Sequence, residues 1–255
     1  MDVIDRIGRS AVAAVRAAGR FGQFLADLTH AIPDVATWGG LALVQMRRIG
    51  VDSLPVALFI AAFTGIVLAL QASYTFTGTV PLYVVGAVVG KTMMLELGPV
   101  LTGLALAGRV GASVAAELGT MKVTEQVDAL ETLAYDPLAY LVLPRLIAGT
   151  LMVPVVVVLG IVIGIITGWI TSMGLLDLST AEFVKGLKFL YRFKDIWFGV
   201  IKSASFGFTI TLVGCRLGLG TRGGAEGVGR STTRAVVASA MLILVLDAFW
   251  AVVLL

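Results

Sequence analysis

The sequence predicts an all-α integral membrane protein, in which an N-terminal interfacial amphipathic helix precedes about five transmembrane helices. Hydrophobic residues make up 58% of the 255 residues and charged residues 14%, with a mean hydropathy of +0.98. Soluble domains contain about 25% charged residues, so composition alone excludes them. Several apolar runs exceed the ~20 residues that a helix needs to cross a bilayer, whereas barrel strands would be about 10 residues of alternating character. A polar, acid-rich stretch, Gly108–Arg145, lies between two of the runs.

Residues 1–30 form the first predicted element, the amphipathic helix. Apolar side chains recur at three- and four-residue spacing, and basic side chains occupy the other faces: Ile4, Ile7, Ala11, Ala14, Ala18, Phe21 and Leu25 against Arg6, Arg9, Arg16 and Arg20. Such a helix either lies among lipid headgroups or packs on the protein's own cytoplasmic surface. The uninterrupted apolar core of a signal peptide is missing, so we expect no cleavage.

Residues 31–255 form one transmembrane domain. Its expected spans are about 53–73, 82–107, 146–172, 196–217 and 235–255. The second span includes Lys91, Glu96 and Pro99, so it either crosses the membrane or is broken and re-entrant. An odd number of crossings places the two termini on opposite sides.

The basic residues predict the orientation. With the N-terminus in the cytoplasm, most lysines and arginines fall in cytoplasmic segments, as the positive-inside rule requires. The stretch Gly108–Arg145 and a glycine-rich loop, Gly218–Arg234, are then cytoplasmic. The amphipathic segment Ser179–Lys194 lies at the outer interface, with Phe183, Leu187 and Leu190 on one side and a cluster of four basic residues, Lys185, Lys188, Arg192 and Lys194.

Within the acid-rich stretch, Thr120–Leu133 predicts a short amphipathic helix outside the bilayer. Val123, Val127 and Leu130 share one side, and the charged residues occupy the rest: Lys122, Glu125, Asp128 and Glu131. Asp136-Pro137 is the expected stop, because the residue before proline disfavours the α conformation. A membrane protein with such a helix presents it to a soluble partner.

Small residues predict close helix packing. One series recurs at every fourth position, Gly103, Ala107, Gly111, Ala115 and Gly119, and a second consists of Gly160, Gly164 and Gly168. Small side chains on one face allow helix backbones to approach closely. We expect the second series to pack within the chain, and the first to form a rigid connection from the membrane into the acid-rich stretch.

The residues for catalysis or metal binding are missing, so we predict no catalytic residues and no metal site. His30 and Cys215 are the single residues of their types, which excludes a zinc cluster, a Cys-His pair and an internal disulfide. Gly86–Thr92 is one residue shorter than a phosphate-binding loop and lies in an apolar span. We therefore expect no nucleotide hydrolysis by this chain, and energy for any transport from a partner or an ion gradient.

Glu96, Lys202 and Asp247 are ionisable residues inside the expected spans. A charge there costs at least about 2.5 kcal/mol on insertion scales, so these side chains should face protein or a water-filled cavity. Two interpretations remain open: a polar lining for a substrate path, or an interhelical ion pair such as Lys202 with Asp247.

Several linked motifs resemble the MlaE or YrbE family of ABC-transporter permeases. They are Glu96-Leu97-Gly98-Pro99-Val100, Ala107–Gly111, Ala116–Met121, Thr124–Leu130, Asp136-Pro137 and Gly223–Arg230 with Thr232-Thr233. Their order and spacing are similar to the family from about Gly50 to the C-terminus. Leu95 stands where the family often has a basic residue.

The resemblance implies a permease subunit of a bacterial lipid transport system in the inner membrane. In that family, two permease chains, here expected to be identical, rest on cytoplasmic ABC ATPases that bind ATP and Mg²⁺, and an MCE-domain lipid-binding protein lies outside. The range 120–133 would be the coupling helix, with ATPase-coupling residues Glu117, Lys122, Thr124, Glu125, Gln126, Asp128 and Glu131. Glu96, Lys202 and Asp247 would belong to a cavity for membrane phospholipid, and Ser179–Lys194 could contact the MCE-domain partner. The chain itself needs no cofactor, and no nucleic acid is an expected partner.

Two alternatives belong to other classes. A proton-coupled secondary transporter would use Glu96, Lys202 and Asp247 as a relay, although we find no inverted repeat and five spans do not divide into equal halves. An assembly subunit without a transport path would leave the membrane charges only as ion pairs.

Overall fold

The computed structural model describes residues 22–75, 81–176 and 178–254, together with positions 12, 15, 16 and 19. In these residues every regular element is a helix. Five helices are long and apolar enough to cross a membrane: Val35–Thr75, Val84–Val123, Leu138–Leu175, Phe193–Leu219 and Gly224–Val253. The all-α membrane fold predicted from composition is therefore confirmed, with the five predicted spans.

The described part of the N-terminal region packs on the protein itself. Helix α1 covers 22–31, where Leu28 and Ala31 are buried and the Arg216 guanidinium lies 5.5 Å from the centre of the Phe24 ring. This stretch therefore contacts the rest of the chain through one side. The predicted pattern from Ile4 to Phe21 lies outside the described residues, apart from isolated positions.

The first span is longer than predicted because a second helix precedes it. Helix α2, Val35–Ile49, is joined by the 3₁₀ turn Val51–Ser53 to helix α3, Leu54–Thr75. Two arginines end α2 and none of the residues of α3 is charged, so the polar turn marks the point where the chain becomes apolar.

The second span is one continuous helix and is not re-entrant. It consists of α4 (Val84–Thr92), a π-helical turn (Met93–Leu97), α5 (Gly98–Leu106), a second π-helical turn (Ala107–Gly111) and α6 (Ala112–Val123). Pro99 does not break it, because the π-helical turn precedes it and the carbonyl oxygen of Leu95, four residues earlier, accepts a hydrogen bond from the Lys202 side chain instead. The helix leads without interruption from the membrane to the acid-rich stretch.

The predicted single helix over 120–133 is wrong in its bounds. Helix α6 ends at Val123, and helix α7 covers only Gln126–Thr132. Between them Glu125 has a left-handed backbone with φ of 60°, a conformation that ends a right-handed helix. The Lys122 ammonium lies 2.5 Å from the Asp128 carboxylate and bridges this turn.

The remaining chain forms four helices. A π-helical turn, Leu138–Val142, leads into α8 (Leu143–Leu175), which is followed by α9 (Thr180–Leu190), α10 (Phe193–Leu219) and α11 (Gly224–Leu254). Helix α8 is central and packs against α2, α3 and α10, while α10 also packs against α6 and α11. The glycine-rich loop predicted for Gly218–Arg234 is wrong: only four residues separate α10 from α11, and the rest is helical.

Glycines set the distance between α3 and α8. A Cβ at Gly65 would overlap the carbonyl oxygen of Gly164, and one at Gly168 would lie 3.1 Å from the carbonyl oxygen of Gly65. The series Gly160, Gly164 and Gly168 therefore packs inside this chain, as predicted. The other small-residue series is buried at all five positions and faces α10, α11 and the loop between them.

Helix α9 lies at the opposite end of the bundle from α7 and packs on α4. Phe183 is buried, as the amphipathic pattern predicted, whereas Leu190 is exposed. Ser179 begins the helix with a capping box: its hydroxyl accepts a hydrogen bond from the Glu182 amide, and the Ser179 amide donates to the Glu182 carboxylate.

Replacing Ser179 by alanine should destabilise α9 by about 1 kcal/mol, because it removes the cap. The hydrogen bonds from Ser179 lower the pKa of Glu182. The contribution of these hydrogen bonds to the stability of α9 is therefore complete at neutral pH, and it is lost as the pH falls through the lowered pKa of Glu182. Hydrogen exchange of the Thr180–Leu190 amides measures both effects, with the exposed Lys188→Ala as control. If Ser179→Ala and the control protect these amides from exchange equally, Ser179 does not cap α9.

Candidate functional site

The three ionisable residues predicted inside the membrane come together between three helices. The Lys202 ammonium lies 2.7 Å from Glu96 Oε2 and 2.5 Å from Asp247 Oδ1. It also donates to the carbonyl oxygen of Leu95 at 3.1 Å. The interhelical pair of Lys202 with Asp247 is thus present, and Glu96 extends it to a triad that joins the second, fourth and fifth spans.

The triad has one enclosed and two accessible members. The Lys202 side chain has no solvent exposure, whereas those of Glu96 and Asp247 are exposed by 37% and 23%. A ligand could therefore contact only the two carboxylates, with Lys202 holding them in position. Two carboxylates against one ammonium leave the triad with one negative charge in excess if all three are ionised.

Polar and aromatic side chains surround the triad. The Trp250 indole donates to the Ser205 hydroxyl at 2.9 Å, which links α11 to α10 one turn from the ion pairs. The Lys202 ammonium also lies 5.2 Å from the centre of the Phe198 ring, within range of a cation–π interaction. These contacts fix the positions of α10 and α11 around the charged groups.

An apolar groove of about 430 Å³ runs between α3 and the helix that carries Glu96. Its walls are Phe59, Phe63 and Val67 on one side and Leu97 and Leu101 on the other. Leu97 directly follows Glu96, so the groove and the triad share one helix segment. An apolar cleft with few polar groups suits the hydrocarbon part of an amphiphile.

At the α7 end, the structure separates the predicted coupling residues into two groups. Thr124, Glu125, Gln126, Asp128 and Glu131 are exposed, with Lys122 half-buried beside them. The apolar side of α7 does not point outward as a docking stripe. Val127 is buried against the protein's own core and Leu130 packs on the same core, while Leu133 is 69% exposed.

Glu117 is held within the chain. Its carboxylate lies 3.0 Å from the Arg48 guanidinium and 3.2 Å from that of Arg145. Arg145 is buried and also donates to the Leu141 carbonyl oxygen at 2.5 Å. Three helices, α2, α6 and α8, therefore meet at one carboxylate just above the α6–α7 turn.

Two further charged contacts were not anticipated from the sequence. The Lys91 ammonium lies 2.6 Å from the Asp195 carboxylate and connects α4 to the start of α10. Arg109 donates to the Ser53 hydroxyl at 2.5 Å and connects the second π-helical turn to the 3₁₀ turn before α3. Periodicity gives no signal for such pairs, because the partners lie far apart in sequence near the ends of their spans.

Gly86–Thr92, His30 and Cys215 do not form a site together. Gly86–Thr92 is part of the continuous helix, so it does not form a loop around phosphate. His30 is exposed and Cys215 is buried. In the ranges 22–75, 81–176 and 178–254, no three His, Cys, Asp or Glu side chains come close enough to hold a metal ion.

Comparison with known proteins identifies relatives over almost the whole chain. A probable ABC transporter permease protein of Rickettsia prowazekii is 41% identical over 246 residues, which cover 96% of this chain and 95% of the relative. The intermembrane phospholipid transport system permease protein MlaE of Haemophilus influenzae is 32% identical, with 97% and 95% covered. The Arabidopsis thaliana chloroplastic protein TRIGALACTOSYLDIACYLGLYCEROL 1 is 38% identical over 80% of this chain and 59% of its own length.

The family described as Permease MlaE matches residues 42–253. The match spans all five membrane helices after the first turns of α2, and it includes the triad, the groove and α7. This extent, with the identities above, establishes the family. The chain belongs to the MlaE permease family.

Proposed function

We propose that this chain is the membrane permease subunit of an ABC transporter that moves phospholipid or a related lipid between membranes. The observation that carries the proposal is the continuous helix Val84–Val123. It carries both Glu96 and two residues of the groove wall, Leu97 and Leu101, and it ends at the exposed α6–α7 turn. One rigid element thus connects a site suited to an amphiphile with a surface suited to a soluble partner.

The lipid cavity is assigned to the groove and the triad. Acyl chains require apolar walls such as Phe63 and Leu101, and the ammonium or hydroxyl groups of a headgroup require acceptors, which Glu96 and Asp247 provide. Charged side chains that stay partly exposed within a span should face protein or a water-filled cavity. A second copy of the chain, packed against this side, would enclose them and complete the cavity.

The coupling surface is assigned to the α6–α7 turn and α7. A cytoplasmic ATPase would contact Thr124, Glu125, Gln126, Asp128 and Glu131. Lys122 supports this surface through Asp128, and Glu117 would pass its movement to α2 and α8 through Arg48 and Arg145. The ATPase would bind ATP and Mg²⁺, so the permease needs no nucleotide site or cofactor of its own.

The remaining partners follow from the same assignment. We place the chain in the bacterial inner membrane with its N-terminus in the cytoplasm, which puts α7 inside and α9 outside. An MCE-domain protein would then meet the outer end of the bundle near α9. The Mla name of the Haemophilus influenzae relative supports a phospholipid as the transported molecule.

Charge reversal on α7 tests the coupling assignment. Glu131→Arg should lower the amount of ATPase that co-purifies with the permease by about tenfold, equivalent to ~1.4 kcal/mol, because it changes an exposed charge at the contact. The measurement is quantitative co-purification from cells that express the whole transport system. Lipid transfer in proteoliposomes should fall in parallel.

Lys188→Glu is the control, since Lys188 is also an exposed charge but lies on α9, at the opposite end of the bundle. It should retain the ATPase. If Glu131→Arg retains the ATPase as well, α7 is not the docking surface. If instead the purified chain alone carries a proton-driven flux, a secondary transporter replaces the ABC assignment.

A further inference from the structure

A second, polar chamber of about 230 Å³ lies between α2 and the second π-helical turn. Its walls include Gln45, Arg48, Asp52, Arg109 and Ser113. The chamber lies where α3 begins, so it is level with the lipid headgroups on the α7 side of the membrane. It is separate from the triad, which lies deeper along the same helix.

The chamber and the apolar groove are both lined by the second span and by the segment that leads from α2 into α3. Leu97, Leu101 and Arg109 are spaced by multiples of four residues along the continuous helix. On the facing side, Asp52 of the 3₁₀ turn lines the chamber, and α3 lines the groove from Phe59 to Gln71. From Arg109 to Leu97 the helix rises about 18 Å. This length is close to one leaflet of a hydrocarbon core about 30 Å thick. The polar chamber and the apolar groove therefore lie at the spacing of a lipid headgroup and its acyl chain.

The charges of the chamber favour an anion. Among the described residues, Glu117 is neutralised by Arg48 and Arg145, while the Arg109 guanidinium has the Ser53 hydroxyl as its partner and no carboxylate within 4.0 Å. A guanidinium has five N–H donors, so most of those on Arg109 remain available. Asp52 is exposed at the rim and is the single carboxylate of the chamber without a close cation in the described structure.

We propose that this chamber binds the phosphate of a phospholipid from the α7-side leaflet, with an acyl chain in the apolar groove. Arg109 is the principal phosphate ligand, because its planar fork of donors matches phosphate oxygens. Arg48 contributes its remaining donors. The proposal rests on the proposed lipid substrate and adds to it an entry site on the side opposite to α9, where a lipid is selected by its phosphate.

Native mass spectrometry of the full chain in detergent tests the site with three probes: dioleoylphosphatidylglycerol, dioleoylglycerol and inorganic phosphate. Arg109→Gln should weaken phosphatidylglycerol binding about tenfold, the loss of one charge-assisted hydrogen bond. It should leave dioleoylglycerol binding unchanged. Phe63→Ala should weaken binding of both lipids. Arg109→Lys keeps the positive charge, so its affinity for phosphatidylglycerol should fall less than that of Arg109→Gln.

The control is Arg47→Gln, because Arg47 is exposed and adjacent to Arg48 but does not line the chamber. A diazirine-bearing phosphatidylglycerol should crosslink to peptides 52–71 and 97–113. Unchanged phosphatidylglycerol affinity in a folded Arg109→Gln protein overturns the proposal, as does an equal loss in Arg47→Gln. Saturable binding of inorganic phosphate with crosslinks elsewhere assigns the chamber to a soluble anion and also overturns it. These binding results are independent of ATP-driven lipid transfer, which tests the proposed function.

Discussion

Replacing Lys202 by methionine should lower the free energy of unfolding by about 3 kcal/mol, the largest loss we expect from a single charged residue in this chain. The ammonium is fully enclosed and lies within 2.7 Å of two carboxylates. Removal of one partner of a buried ion pair leaves an uncompensated charge, which costs far more than the pair contributes when intact. Here one substitution leaves two carboxylates without their cation. Chemical unfolding in nanodiscs measures the loss.

Lys194→Met is the matched control, since Lys194 is exposed in the first turn of the same helix. It should unfold like the natural sequence. The triple variant Lys202→Met, Glu96→Gln, Asp247→Asn should recover most of the stability, because all three charges are removed together.

The triple variant also separates a structural role from a lipid-binding role. If Glu96 and Asp247 hold a headgroup, the triple variant is folded yet co-purifies with less phospholipid, measured by mass spectrometry of the extracted lipids. If the triple variant binds and transfers as much lipid as the wild type, the triad only stabilises the fold and does not bind the headgroup.

Replacing Gly65 by alanine should separate α3 from α8 and cost about 3 kcal/mol, at the upper end of overpacking effects. The added Cβ would overlap the carbonyl oxygen of Gly164, and backbone cannot move aside as a flexible side chain can. Because α8 also packs against α2 and α10, the displacement should spread through the bundle. Thermal unfolding of the purified chain is the measurement.

Gly174→Ala gives a control of opposite sign. Gly174 lies near the end of α8, and a Cβ there would meet no atom within 4 Å. Alanine should stabilise that position by about 0.5–1 kcal/mol, because it restricts the unfolded backbone. If both variants unfold alike, close approach of the two helices does not determine the stability of the bundle.

Composition and span length were sufficient to predict the fold class and the number of membrane helices, since the cost of burying polar backbone in lipid leaves few alternatives. The triad was also accessible from sequence. Glu96, Lys202 and Asp247 are conspicuous because a charge inside an apolar run is costly, although the sequence could not show that Glu96 shares the ammonium of Lys202.

Residues near the ends of spans were not predictable in this way. Arg48, Arg109 and Asp195 lie where charged side chains are common, so their type carries no signal of a specific contact. The break at Glu125 was missed for a related reason. The apolar pattern continues across it, and a left-handed residue other than glycine leaves no mark in periodicity.

The second π-helical turn explains how small residues at every fourth position can share one face. On an ideal α-helix, residues four apart differ by about 40° around the axis. The series from Gly103 to Gly119 would then rotate by about 160°, and its last members would no longer face the helices that the first members contact. The turn Ala107–Gly111 is wider, which reverses part of this rotation, and all five positions stay buried. Deletion of a single residue from this turn should therefore change the direction of α6 and α7, while the part of the helix before the turn, Val84–Leu106, keeps its position in the bundle.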